Sequence, residues 1–110
     1  MAYKVIPTSP FLKEFNKLKK RHHSLKEDVL ALAESLAENP ESGKPLGHNL
    51  YKIRLSIKSK GKGKSGGARV ITYLINAAQE VYLVSIYDKT DMDSVSTTQL
   101  KKIVDKVFGK

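Results

Sequence analysis

The spacing of apolar positions along this chain changes period twice, from 3.6 to two and back again. At the N-terminus, Tyr3 to Ile6 is a short strand candidate ended by Pro7. Ser9 is placed to cap a helix with Pro10 at its first position, where a missing N–H costs nothing. Phe11, Phe15 and Leu18 then fall at i, i+4 and i+7 and form one apolar stripe. The polar run from Lys19 to His23 interrupts it. Ser24 with Glu27 has capping-box spacing for a second helix, whose Leu25, Val29, Leu32 and Leu36 share a face. Asn39-Pro40 stops that helix.

From Gly43 to Gly47 the Gly and Pro content predicts a loop, and after it the period becomes two. Tyr51, Ile53, Leu55 and Ile57 alternate with Lys52, Arg54 and Ser56, which predicts a half-buried strand. The Lys/Gly/Ser run from Lys58 to Gly67 predicts a flexible hairpin loop. Ala68 to Asn76 is apolar on both faces and predicts a central strand. The short Ala77-Ala78 connection leads into Val81 to Asp88, a third strand of the same meander. After a loop from Lys89 to Val95, Ser96 and Gln99 form another capping box, opening a helix with Leu100, Ile103, Val104 and Val107 on one side. The expected order is β-α-α-β-β-β-α, an α+β domain over residues 1–110 with its helices on one face of a mainly antiparallel sheet.

Charge sharpens this picture more than composition does. The net charge is +9, and between Ser42 and Gln79 there is no acidic residue at all. That segment carries eight cations, nearly the whole net charge, while the helical parts are close to neutral. So one-sided a field favours a polyanionic partner, nucleic acid before others. No cysteine is present, which excludes disulfides and thiolate metal sites. No run resembles a signal peptide or a membrane span, so a soluble cytosolic protein without membrane contact is expected.

Several chemistries fail on spacing. Gly61 to Gly67 invites a phosphate-loop reading, but Lys58 stands where the pattern needs glycine, and a strand follows where a helix is required. A basic loop suited to backbone phosphates remains, with Lys58, Lys60, Lys62 and Lys64 as RNA-binding candidates. His22 and His23 read as a solvated helix end, His48 is remote, and no acidic cluster completes a metal site. Neither metal nor cofactor is expected. What can do chemistry is Lys52 and Arg54, two apart on one strand face, with Tyr87 and Lys89, two apart at the end of another. Such a face could hold a phosphodiester and neutralise charge developing on its oxygens.

The same residues carry a family resemblance. Leu50-Tyr51-Lys52-Ile53-Arg54 resembles the Y-K-x-R/K strand of RelE-type toxins. Gly61 to Ile71, followed by Tyr73, resembles the GKGKxGGxR segment of the HigB-like branch, and Tyr82 to Lys89 is similar to that branch's last strand, which ends Y-x-K. The match runs in order from Tyr3 to about Val107. It implies a curved antiparallel sheet backed by helices, with RNA on the opposite face. It also implies metal-independent cleavage of mRNA in the A site of the 30S ribosome, by attack of a ribose 2′-OH on the adjacent phosphate. Carried over by motif, Lys52 and Arg54 would activate the nucleophile and clamp the phosphate. Arg69 would stabilise the transition state, and Tyr87 and Lys89 would position the nucleotide or assist the leaving oxygen. A cognate antitoxin would be a second partner.

Two departures set expectations of their own. RelE-type toxins carry an aromatic just beyond the last strand for stacking on RNA; Thr90 to Val95 has none, which assigns stacking to Tyr87. Arg69 shares strand parity with Ile71, Tyr73 and Ile75, which opposes its exposure unless it lies just before the regular strand. The rival reading is a ParE-like toxin, which shares the fold and inhibits DNA gyrase by binding. Convergence of Lys52, Arg54, Tyr87 and Lys89 is what a nuclease needs and a gyrase binder does not.

Overall fold

The computed structural model describes residues 2–60, 67–90 and 96–109. In chain order these form β1 (Lys4–Pro7), α1 (Ser9–Lys19), α2 (Leu25–Glu38), β2 (Lys44–Gly47), β3 (Leu50–Leu55), β4 (Ala68–Ile75), β5 (Glu80–Asp88) and α3 (Thr97–Phe108). The sheet runs β1-β5-β4-β3-β2, with β1 parallel to β5 and the other pairs antiparallel. β4 is central, as its two apolar faces require. The predicted loop before β3 is instead the edge strand β2, where Lys44 pairs with Lys52 and Pro45 with Tyr51. Proline is tolerated there because an edge strand need not donate on its outer side.

The helices do not share a face. Phe11 and Leu18 of α1 and Leu25, Val29 and Leu36 of α2 pack on Ile53, Leu55, Val70, Leu74, Val81 and Leu83. Leu100 and Val104 of α3 pack on the other side, against Leu50, Ile71, Val84 and Tyr87. Alternating strands had supplied apolar residues to both sides of β4 and β5, and a second apolar layer needs a cover of its own. Phe108 closes that layer, with its ring 5.2 Å from Tyr73 and 4.6 Å, edge-on, from Tyr82.

Helix starts divide according to what surrounds them. Thr8, not Ser9, caps α1: its hydroxyl accepts the Phe11 N–H at 3.4 Å and donates to the Leu83 carbonyl at 2.9 Å, tying the helix to β5. Ser96 and Gln99 form the predicted box at α3. The box at Ser24 does not form. There the hydroxyl donates to Asp28 Oδ2 at 2.7 Å and accepts the Ser59 N–H at 2.9 Å, a tertiary pairing in place of the local one.

One irregularity decides which way the end of β5 points. Ile71 pairs with Ser85 but Thr72 pairs with Leu83, so Val84 is an extra residue in the ladder. Val81 and Leu83 face α1 and α2, and beyond the bulge so does Ile86. Without it, alternation from Val81 would turn Tyr87 into that core; with it, Tyr87 faces the α3 side.

Candidate nucleic-acid interface

β3 buries Ile53 and Leu55 toward α1 and α2 and so turns Lys52 and Arg54 to the α3 side of the sheet. The register sets Arg69 directly opposite Arg54, and Tyr87 directly opposite Arg69. One row across three strands therefore reads Arg54, Arg69, Tyr87, and the next reads Lys52, Ile71, Ser85. Lys89 follows at the end of β5, its N–H donating to the Gly67 carbonyl at 3.0 Å. Gly67 is required at that crossing, because a Cβ built there would overlap the Leu55 carbonyl oxygen.

Four of the candidate residues, Lys52, Arg54, Arg69 and Lys89, line one cleft of about 800 Å³ together with Lys44 and Lys58. The lining also takes in Asp28 of α2 and both faces of β3, so the cleft wraps round the edge of β3 beyond its pairing with β2. Directly opposed like charges on neighbouring strands oppose pairing by roughly 0.2–1 kcal/mol, so the Arg54–Arg69 juxtaposition is not there for the stability of the sheet. The two arginines differ in setting. Arg54 is exposed, whereas Arg69 is only 5% exposed and holds the Ala68 carbonyl with Nη1 at 3.1 Å. Arg69 lies within β4, not before it. It does share a face with Ile71 and Tyr73, but that face is apolar beneath α3 and cationic at its other end.

Tyr87 stands apart from the open cleft. It is 6% exposed, packs with Leu100 and Val104 of α3, and lines a different cleft between α1 and α3. The stacking role assigned to it needs an open ring, and this ring is covered. Its hydroxyl is buried and has no hydrogen-bond partner among the described residues. Burial pushes the phenol above its ordinary pKa, and the Arg69 charge pulls part of the way back. Near neutral pH it is thus a protonated donor beside a guanidinium.

Of the loop lysines, Lys58 begins a 3-10 turn that runs to Lys60. The root of the loop is fixed: the Lys58 N–H donates to Asp28 Oδ2 at 3.2 Å, and Ser59 is bonded to Ser24. Lys62 and Lys64, and the side chain of Lys60, lie outside the described residues, as does the segment from 91 to 95. His48 is exposed in the β2–β3 turn, at the end of β3 away from Arg54.

His22 corrects the reading of a solvated helix end. It is 9% exposed, with Nε2 2.9 Å from Asp88 Oδ2, and Asp88 itself is 1% exposed. Neither residue was a sequence candidate. A carboxylate closing a largely apolar strand was the available signal, since such a group is buried only with partners. Among the described residues no three His, Cys, Asp or Glu side chains gather as a metal site would require, and no helix is long and apolar enough to cross a membrane.

Known structures share this architecture. A free-state variant of the Escherichia coli toxin RelE, with two arginines replaced by alanine, superposes with a TM-score of 0.66 at 21% identity, covering 97% of this chain and 99% of that one. The intact E. coli RelBE toxin–antitoxin complex contains a chain matching at 0.59 and 24% identity, over 79% of this chain and 96% of that one. The RelBE2 toxin–antitoxin complex of Mycobacterium tuberculosis matches at 0.58 and 19% identity, over 80% and 99%. At these identities the likeness speaks for the fold. The sequence speaks for the family: residues 11–107 match the model described as the RelE toxin of the RelE/RelB toxin–antitoxin system, and the chain belongs to the RelE toxin family.

Proposed function

We propose that this toxin is a ribosome-dependent mRNA endonuclease of the HigB-like branch and that a cognate antitoxin restrains it. The observation that supports it most is the cationic row: Arg54 directly opposite Arg69, with Lys52 and Lys89 on the same cleft. A bound phosphodiester would relieve the repulsion between the arginines and gain charge-assisted hydrogen bonds from both. In the reaction, the ribose 2′-oxygen bonds to phosphorus and the P–O5′ bond breaks, leaving a 2′,3′-cyclic phosphate and a 5′-hydroxyl. Lys52 and Arg54 activate the nucleophile and hold the phosphate, and Arg69 stabilises the charge that develops on the phosphoryl oxygens. Lys89 assists the leaving 5′-oxygen. Tyr87 stands opposite Arg69 across the β4–β5 ladder.

Such a site supplies charge but few acid–base groups that titrate near neutrality. It gains most from a substrate already held in line, which the A site of the 30S subunit can provide. Lys58, Lys60, Lys62 and Lys64 add affinity for the RNA backbone. The relatives found in toxin–antitoxin complexes support an antitoxin as the natural restraint on this chain. The test compares cleavage of one message free and on programmed ribosomes, with mapping of the new ends. Cuts within the A-site codon, formed only on ribosomes, are expected. Equal rates on naked RNA overturn ribosome dependence. No cleavage, together with inhibition of DNA gyrase, replaces this reading with the ParE-like one.

A further inference from the structure

β5 loses one of its two neighbours where the cationic site begins. β1 accompanies it only as far as Leu83, opposite Pro7, and from there to Asp88 its ladder runs along β4. A strand end with one neighbour opens more readily than one with two, yet Tyr87 and Lys89 depend on this one for their places. Asp88 lies between them in sequence. Its side chain turns away from the cleft, toward the corner between α1 and α2.

What it meets there is ordered. Asp88 is 1% exposed; its Oδ2 lies 2.9 Å from His22 Nε2 and 3.6 Å from Arg21 Nη2. Its Oδ1 accepts the N–H and the hydroxyl of Thr90, at 2.9 and 2.8 Å. The N–H of His22 donates to the Leu18 carbonyl at 3.0 Å, and its own carbonyl accepts the Leu25 N–H at 3.1 Å. His22 thus joins the last turn of α1 and the first turn of α2 through its backbone, and the end of β5 through its ring. Buried carboxylates are rare unless paired, and this one is paired at the end of β5, where β1 no longer accompanies it.

We propose that Asp88, gripped by His22 and Arg21, is a positioning residue that fixes Lys89 and Tyr87 in register with Arg69. It touches no substrate. It acts through the peptide units on either side of it, much as a tether behind a strand holds the side chains in front. Displacing reacting groups by about 1 Å is enough to slow an oriented reaction by roughly 100-fold, so the clamp bears on the rate of cleavage rather than on affinity. The proposal rests on the ribonuclease reading for its kinetic consequence, but not for its structural one.

The experiment therefore has two arms, run on His22→Ala, His22→Gln and Asp88→Asn in the full chain. In amide hydrogen exchange, His22→Ala and Asp88→Asn should raise the rates at Lys89 and Thr90 by about tenfold or more, with Val81 and Leu83 unchanged. In single-turnover cleavage on programmed ribosomes, the same variants should lose roughly 10- to 100-fold in rate at saturation, while the concentration giving half-saturation stays near that of the wild type. His22→Gln, whose amide can donate to the same carboxylate oxygen, should recover most of both. Exchange that rises uniformly through the sheet, or does not rise at all in a folded His22→Ala, overturns the clamp. If the wild type fails to cut, the ribonuclease reading falls on that result, and the exchange arm alone decides whether the clamp exists.

Discussion

The α3 side of the sheet is two surfaces built on one set of strands. At one end Leu50, Ile71 and Val84 form ordinary core beneath Leu100 and Val104. A few residues along, on the same face of the same strands, stand Arg54 and Arg69, with Lys89 just past the end of β5. The apolar end is held by burial, which contributes stability in proportion to area. The cationic end sets like charges against each other and stays in place because its neighbours are anchored: Gly67 under Leu55, Lys58 on Asp28, Asp88 on His22. Apolar packing and positive charge are thus segregated along a strand rather than across a sheet, and the two ends should respond differently to substitution.

The largest expected effect is on the cationic end. Lys52→Ala/Arg54→Ala should reduce cleavage on programmed ribosomes by at least about 1,000-fold, given the usual worth of one charge-stabilising donor. Its denaturation midpoint should scarcely move, because Arg54 is exposed and Lys52 half-buried. Single-turnover kinetics and a urea titration on one preparation check both halves. The mirror experiment is Leu100→Ala, which removes a fully buried side chain. It should destabilise by about 2–5 kcal/mol while the folded fraction still cuts near the wild-type rate. If each variant lost stability and activity together, the separation would fail. Arg69→Ala should do both, because Arg69 is buried as well as cationic.

A smaller contrast separates the two capping serines. Ser96→Ala should cost about 1 kcal/mol and leave RNA affinity alone. Ser24→Ala should cost a similar amount, about 1–2 kcal/mol for hydrogen bonds lost at a half-buried site. It should also weaken RNA binding, because it frees the root of the basic loop at Ser59. Filter binding at two salt concentrations tells them apart. The smallest effect concerns pH. Burial raises the Tyr87 phenol above its usual 10.0. A group raised on folding contributes fully below its unfolded pKa, and the contribution is lost as pH climbs through the folded value. Wild-type stability should therefore fall more steeply than that of Tyr87→Phe as the pH rises above about 10, measured by denaturant unfolding.

Much of this was legible in the chain. The stripe of Phe11 and Leu18, the alternation through Ile53 and Leu55 and the two-faced β4 each report a local period, and the burial of each element follows it. The box at Ser96 formed, and among the described residues no tertiary partner competes for its hydroxyl. The box at Ser24 did not, because Asp28 and Ser59 offer that hydroxyl better geometry. His22 looked solvated because its partner lies 66 residues away, beyond the reach of any window of sequence.

What the sequence determined by itself is whatever repeats within a turn or a strand: the elements other than β2, their order, the concentration of cations in the middle of the chain, and the sides taken by Lys52 and Arg54. What only the tertiary structure decided depends on residues brought from a distance. The cover of α3 over half a face, the burial of Tyr87 and the pairing of Asp88 with His22 belong here. So does the extra residue at Val84, which turns Tyr87 out of the α1–α2 core and toward Arg69. Alternation is a local rule and holds until a ladder slips; where it slips is set by the neighbouring strand, and no property of β5 alone records it.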